Sequence, residues 1–130
     1  MWSEPRRTAA LLIAAILGTF ASLRTMLWFR PNADLDVAGY NVHHLFTGLL
    51  IATICVVPLL VAAPTRRARD VLTVGFGVGL AMALDEWVYL IATDGSNASY
   101  LLPVSLRGGA IVVGLTCAYV ALVAYWSSRR

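Results

Sequence analysis

The sequence predicts an all-α, four-helix polytopic membrane bundle with both termini cytoplasmic. Two observations predict the class. Of 130 residues, 59% are hydrophobic and only 13% charged, with a mean hydropathy of +0.75. The apolar residues also fall into four runs of the roughly 20 residues that a spanning helix needs. The expected spans are about 8–28, 42–63, 71–93 and 103–126 of one integral membrane domain, residues 1–130. The loops between them leave no room for a separate soluble domain.

Span one follows a short basic head ending in Arg6-Arg7. A basic head before Ala9 to Ala21 also has the shape of a signal peptide. The apolar run resumes after Arg24 as Met26-Leu27-Trp28-Phe29, as an uncleaved span would. Pro31-Asn32 then breaks the pattern, and Asp34 and Asp36 make the loop acidic. Span two opens on His43-His44 and contains Pro58, where a kink is expected. Pro64 to Asp70 is a tight basic turn. Span three is rich in glycine and alanine, and it carries Asp85-Glu86 before Trp87. Asp94 to Leu102 reads as a polar turn. Pro103 opens span four, since proline suits a first helical turn.

Arginine placement orients the bundle. Arg6, Arg7, Arg66, Arg67, Arg69, Arg129 and Arg130 share one side, and among loop arginines Arg30 alone lies on the other. That is the positive-inside pattern. Trp2 and Trp126 are expected at the inner interface, and Trp28, Tyr40 and Tyr100 at the outer one. All ten basic residues are arginine. With abundant alanine, glycine, valine and leucine, this composition points to a bacterial source and its inner membrane. The net charge of +3 follows from topology and does not indicate a nucleic-acid partner. Membrane lipids are the expected surroundings. Cys55 and Cys117 fall in apolar spans and read as small buried hydrophobes.

The chemistry lies in the ionisable residues within the spans. A charge at a membrane helix centre costs about 2.5–3.5 kcal/mol on insertion scales, so each one needs a reason. At 1.5 Å per residue from the inner boundary, Arg24, His44, Glu86 and Arg107 fall at roughly 22–28 Å. The expected site is therefore Arg24, His43, His44, Asp85, Glu86 and Arg107, in the outer third of the membrane. Asp85 and Glu86 point about 100° apart on a helix. Glu86 is expected at the bundle axis, paired with Arg24 or Arg107, and Asp85 toward a neighbouring helix or subunit. Gly75, Gly79 and Ala83 on span three and Gly114 on span four mark faces for close packing. Gly77 is expected on a looser face. The same flat stripes suit a homodimer.

Three readings fit the cluster. It is an ion-pair network that fixes helix register, a metal site, or a pocket for an anion or lipid headgroup clamped by the arginines. In the metal reading His44 and Glu86 are the ligands, and Zn, Mn or Fe is the ion. Two nearby arginines would repel such an ion, and adjacent histidines on a regular helix cannot both face it. The leading function is binding or passage of a small ion, solute or lipid headgroup. A metal-dependent membrane enzyme and a structural subunit of a membrane complex are the alternatives. Gly75-x-Gly77-x-Gly79 lacks the strand–turn–helix setting of a dinucleotide-binding loop, so packing explains it.

His43-His44-x-x-x-Gly48 at a helix start, followed by Gly75-x-Gly77-x-Gly79-Leu80 and Asp85-Glu86, resembles a recurring pattern in small, mostly uncharacterised prokaryotic polytopic membrane proteins. It covers spans two and three. The resemblance implies an integral membrane location and brings no established activity with it.

Overall fold

A computed structural model describes residues 4–33, 36–38 and 40–129. Trp2, Asp34 and Arg130 lie outside the described residues, as do the side chains of Asp36 and Tyr40. The long helices are α1 (Glu4–Phe29), α2 (His44–Val61), α3 (Arg66–Ala92) and, after a short α4 (Asn97–Tyr100), α5 (Pro103–Ser127). All four long helices are long and apolar enough to cross a membrane. The chain is an all-α multi-pass bundle, as its composition predicts.

Helix α3 is the centre, packed on α1, α2 and α5. Its composition explains why it can take neighbours on several sides. Gly79 lies so close to α2 that a Cβ there would come within 2.5 Å of both the Ala52 nitrogen and the Gly48 carbonyl oxygen. A Cβ on Gly48 would in turn meet Gly79 and Ala83. Gly48-x-x-x-Ala52 on α2 and Gly79-x-x-x-Ala83 on α3 therefore bring two backbones together, which membrane helices use in place of hydrophobic driving force. Gly75 meets α2 at Cys55. Gly77 is not the looser position expected for it. It is buried against α1, where a Cβ would sit 2.7 Å from that of Ala15. A central helix has no idle face at that level, and the lipid side of α3 falls instead on Val71, Val74, Trp87 and Ile91.

Helix α5 is rotated from the expected orientation. Its buried positions are Ser105, Gly109, Val113 and Ala124. Gly114 has nothing within 4 Å of a built Cβ, and Arg107, Ala110, Ala118 and Ala121 are exposed beside it. Arg107 is two residues from Ser105, about 200° around the helix, so one residue faces inward and the other outward.

The loops hold two small elements beyond simple turns. Asp36–Val37 pairs antiparallel with Tyr40–Asn41, and Ala38 takes a left-handed φ of 51° at their turn. Helix α4 is held by Asp94, which accepts hydrogen bonds from Ser96 and the Ser99 hydroxyl. Those bonds hold the Asp94 carboxyl down at about 2. Pro58 lies inside α2, which continues past it.

The arginine-rich end is tied across helices. Arg7 pairs with Asp70 at 2.5 Å and Arg69 with Glu4 at 3.1 Å, and Arg6 donates to the Ser128 hydroxyl. These bonds place the start of α1, the start of α3 and the end of α5 together. After Cys55 and Cys117 are replaced, single cysteines at Ala63 and Ser127 report one end, and at Asn32 and Ala98 the other. With the arginine-rich end inside, a membrane-impermeant thiol reagent on whole cells labels Asn32 and Ala98 variants only. The opposite pattern inverts the orientation.

Candidate functional site

At the end away from the arginine-rich turns, α3 delivers Asp85 and Glu86 into the protein; Asp85 is fully buried and Glu86 is 3% exposed. An isolated buried carboxylate is strongly unfavourable, so its partners define the site.

Asp85 holds the frame. Arg24 Nε donates to Asp85 Oδ1 at 2.6 Å. Arg24 Nη1 donates to the Tyr100 carbonyl and the Ser105 hydroxyl, both at 3.1 Å. Arg24 Nη2 donates to the Asp85 and Ser105 carbonyls, both at 3.2 Å. A guanidinium has five N–H donors, and each of these has an acceptor. One side chain of α1 thus joins α3, α4 and α5. Gly109 admits it, because a Cβ there would crowd Arg24 Nη2 at 3.1 Å. The Tyr100 ring lies under the guanidinium carbon at 4.1 Å. The Tyr100 hydroxyl donates to Asp85 Oδ2, and His44 Nε2 meets the same oxygen at 2.9 Å. Burial, reinforced by the Asp85 charge, pushes the Tyr100 hydroxyl well above its ordinary pKa, so it stays a donor.

Glu86 takes a different set of partners. The Leu45 backbone N–H donates to Glu86 Oε2 at 2.8 Å. Leu45 lies in the first turn of α2, and the N-cap residue His43 supplies no side-chain cap. Glu86 therefore caps α2 from a neighbouring helix and places its charge where the helix dipole favours an anion. Glu86 Oε1 meets His43 Nδ1 at 3.3 Å and His44 Nδ1 at 3.2 Å.

Both histidines reach one oxygen because the helix begins between them. His43 has ψ 139°, an extended value, and His44 is the first helical residue. The expectation that adjacent histidines diverge assumed a regular helix through both. Even so, among the described residues no group of three or more His, Cys, Asp or Glu side chains is arranged to hold a metal ion.

A cavity of about 210 Å³ opens beside Glu86, His43 and His44, with Met26, Met82 and Tyr89 on its wall. Among the described residues no buried side-chain nitrogen or oxygen lacks a hydrogen-bond partner.

The structure brings together Arg24, His43, His44, Asp85 and Glu86. Arg107 does not join them. Arg24 pairs with Asp85, not Glu86, so the expected roles of the two carboxylates are exchanged. Tyr100 is buried against Asp85. Sequence reasoning passed over Tyr89, Tyr100 and Ser105. Tyr89 carried a signal, since it lies four residues after Asp85 on one helix face. Comparison with known protein families, curated proteins and solved structures finds no match to this chain.

Proposed function

We propose that this small multi-pass membrane protein, with its termini in the cytoplasm of a bacterial cell, binds a small cation in the cavity at its outer end. Glu86 supplies the counter-charge, and the Arg24–Asp85 pair is the rigid frame behind it. One observation carries the reading: all five Arg24 donors are spent on Asp85, Tyr100 and Ser105. Glu86 faces the cavity with two imidazoles, a backbone amide and no arginine. Arg24 is bonded to Asp85 and not to Glu86, so the Glu86 carboxylate meets two imidazoles and no guanidinium. A buried carboxylate without a guanidinium partner favours an arriving cation. The same geometry weakens the anion or headgroup-phosphate reading, because among the described residues no arginine lines the cavity.

Titration calorimetry on the detergent-purified protein tests this. Chloride salts of sodium, potassium, zinc, manganese and tetramethylammonium form the panel, with inorganic phosphate as the anion control. At least one cation is expected to bind saturably to wild type and to Arg107→Gln, and at least about tenfold more weakly to Glu86→Gln, a loss of roughly 1.4 kcal/mol. Phosphate binding, or cation binding indifferent to Glu86→Gln, overturns the proposal. Stoichiometric Zn, Mn or Fe that survives dialysis and is lost in both His44→Ala and Glu86→Gln favours the metal-dependent enzyme instead.

A further inference from the structure

The walls of the cavity narrow the class of cation, and this step rests on the cation reading of Glu86. The His43 and Tyr89 ring centres are 6.1 Å apart, and those of His44 and Tyr100 are 5.7 Å apart. Tyr89 and Tyr100 meet edge to face at 5.3 Å. All four rings border the cavity, with Met26 and Met82 beside them; the two tyrosines are almost wholly buried, and the histidines and methionines carry the open surface. The glutamate and tyrosine oxygens nearby are already engaged. Tyr89 donates its hydroxyl to the Ser96 carbonyl, and Tyr100 donates to Asp85. Glu86 accepts from Leu45 N–H and stands against both histidines.

A hard inorganic ion such as calcium wants six to eight oxygen ligands, whereas the side-chain oxygens on this wall are those of Glu86, Thr47, Asn97 and the two tyrosines, and those of Glu86 and the tyrosines are already hydrogen-bonded. Size argues the same way. A single water needs about 10–15 Å³ of such space, so one bare ion leaves most of the roughly 210 Å³ unfilled. An alkylated ammonium suits both conditions. Its diffuse charge is attracted to ring faces and to a carboxylate, and its carbon substituents pack on rings and thioethers.

We infer that the cavity takes a small alkylammonium group, with its charge toward Glu86 and its alkyl groups against His43, Met26 and Met82. A free amine and an ammonium-bearing lipid headgroup share this chemistry.

The test uses the full chain in lipid nanodiscs, titrated with tetramethylammonium chloride and with sodium chloride at equal ionic strength. Tetramethylammonium binds and sodium does not. Binding weakens at least about tenfold in Glu86→Gln and roughly tenfold in the double variant Met26→Gln with Met82→Gln, which removes the thioether contacts. The double variant Met26→Leu with Met82→Leu keeps an apolar wall and keeps binding. Tetramethylammonium binding that ignores the glutamine pair overturns the inference. Glu86-dependent binding of sodium or zinc without tetramethylammonium also overturns it and leaves the broader cation reading standing. No Glu86-dependent binding of any cation overturns both. The source is read from two disc compositions at equal phosphatidylglycerol content, one completed with phosphatidylethanolamine and one with galactolipid. Tenfold weaker tetramethylammonium binding in the ethanolamine discs identifies a lipid headgroup as occupant, and equal binding identifies a free solute.

Discussion

Asp85→Asn is expected to cost about 3–5 kcal/mol, the usual result of removing one partner from a buried ion pair. Asp85 is fully buried and its Arg24 partner is 12% exposed at the side chain. The substitution leaves a guanidinium in a low-dielectric interior with only neutral acceptors around it. It also weakens what Tyr100 and His44 gain from the carboxylate. Thermal unfolding in detergent reads the effect. The double variant Arg24→Gln with Asp85→Asn should be more stable than Asp85→Asn alone, because no charge is then stranded. Arg24→Lys should not substitute for wild type, since three rotatable donors cannot reproduce five fixed ones. Glu86→Gln should be the milder carboxylate change, because glutamine still accepts from the Leu45 N–H that opens α2. If Glu86→Gln unfolds the bundle at a lower temperature than Asp85→Asn, the frame has been assigned to the wrong acid.

The difference between those two acids shows where the sequence was legible. A charge in an apolar run is costly enough to be conspicuous, so Arg24, His43, His44, Asp85 and Glu86 could be gathered from depth alone. Which acid met the arginine depended on helix rotation, and in lipid that signal is weak. Both faces of a spanning helix are apolar, so the pattern that tells inside from outside in a soluble helix is largely missing. On α5 the phase rested on Arg107, and that choice turned the helix the wrong way. An arginine in the second turn of a span can lift its head to the interface, so its presence there does not require a buried partner. Ser105 and Gly109, the residues that receive Arg24, look like any small residues in such a helix. Tyr100 was hidden for another reason. Its position depends on α4, a four-residue helix set by Asp94, Ser96 and Ser99, whose hydrogen bonds leave no apolar periodicity to read. The histidine pair depended on where α2 begins, and helix boundaries are the least certain part of any sequence reading.

Gly79→Leu is expected to do damage of comparable size, through packing and not charge. The α2–α3 contact is made by backbone atoms. A Cβ on Gly79 would lie 2.5 Å from the Gly48 carbonyl oxygen and 3.1 Å from the Ala52 Cα. Overpacking a core typically costs about 1–3 kcal/mol when side chains can shift. Here the obstruction is main chain, so the helices must separate, and α2 would draw its first turn away from the Glu86 carboxylate that caps it. Loss of the cap couples the packing defect to the polar site, so Gly79→Leu should weaken cation binding as well as lower the unfolding temperature. Gly48→Leu, which meets the same contact from α2, should match it. Gly77→Leu should also destabilise, by forcing α1 away at Ala15, but it should disturb the α2 cap less. Gly114→Leu faces open space and should lie within about 0.5 kcal/mol of wild type, as substitutions away from packed features do. The ordering is the test. Equal tolerance of leucine at Gly79 and Gly114, in thermal unfolding, would mean that α2 and α3 do not meet through Gly48 and Gly79 and that the frame of the cavity is built another way.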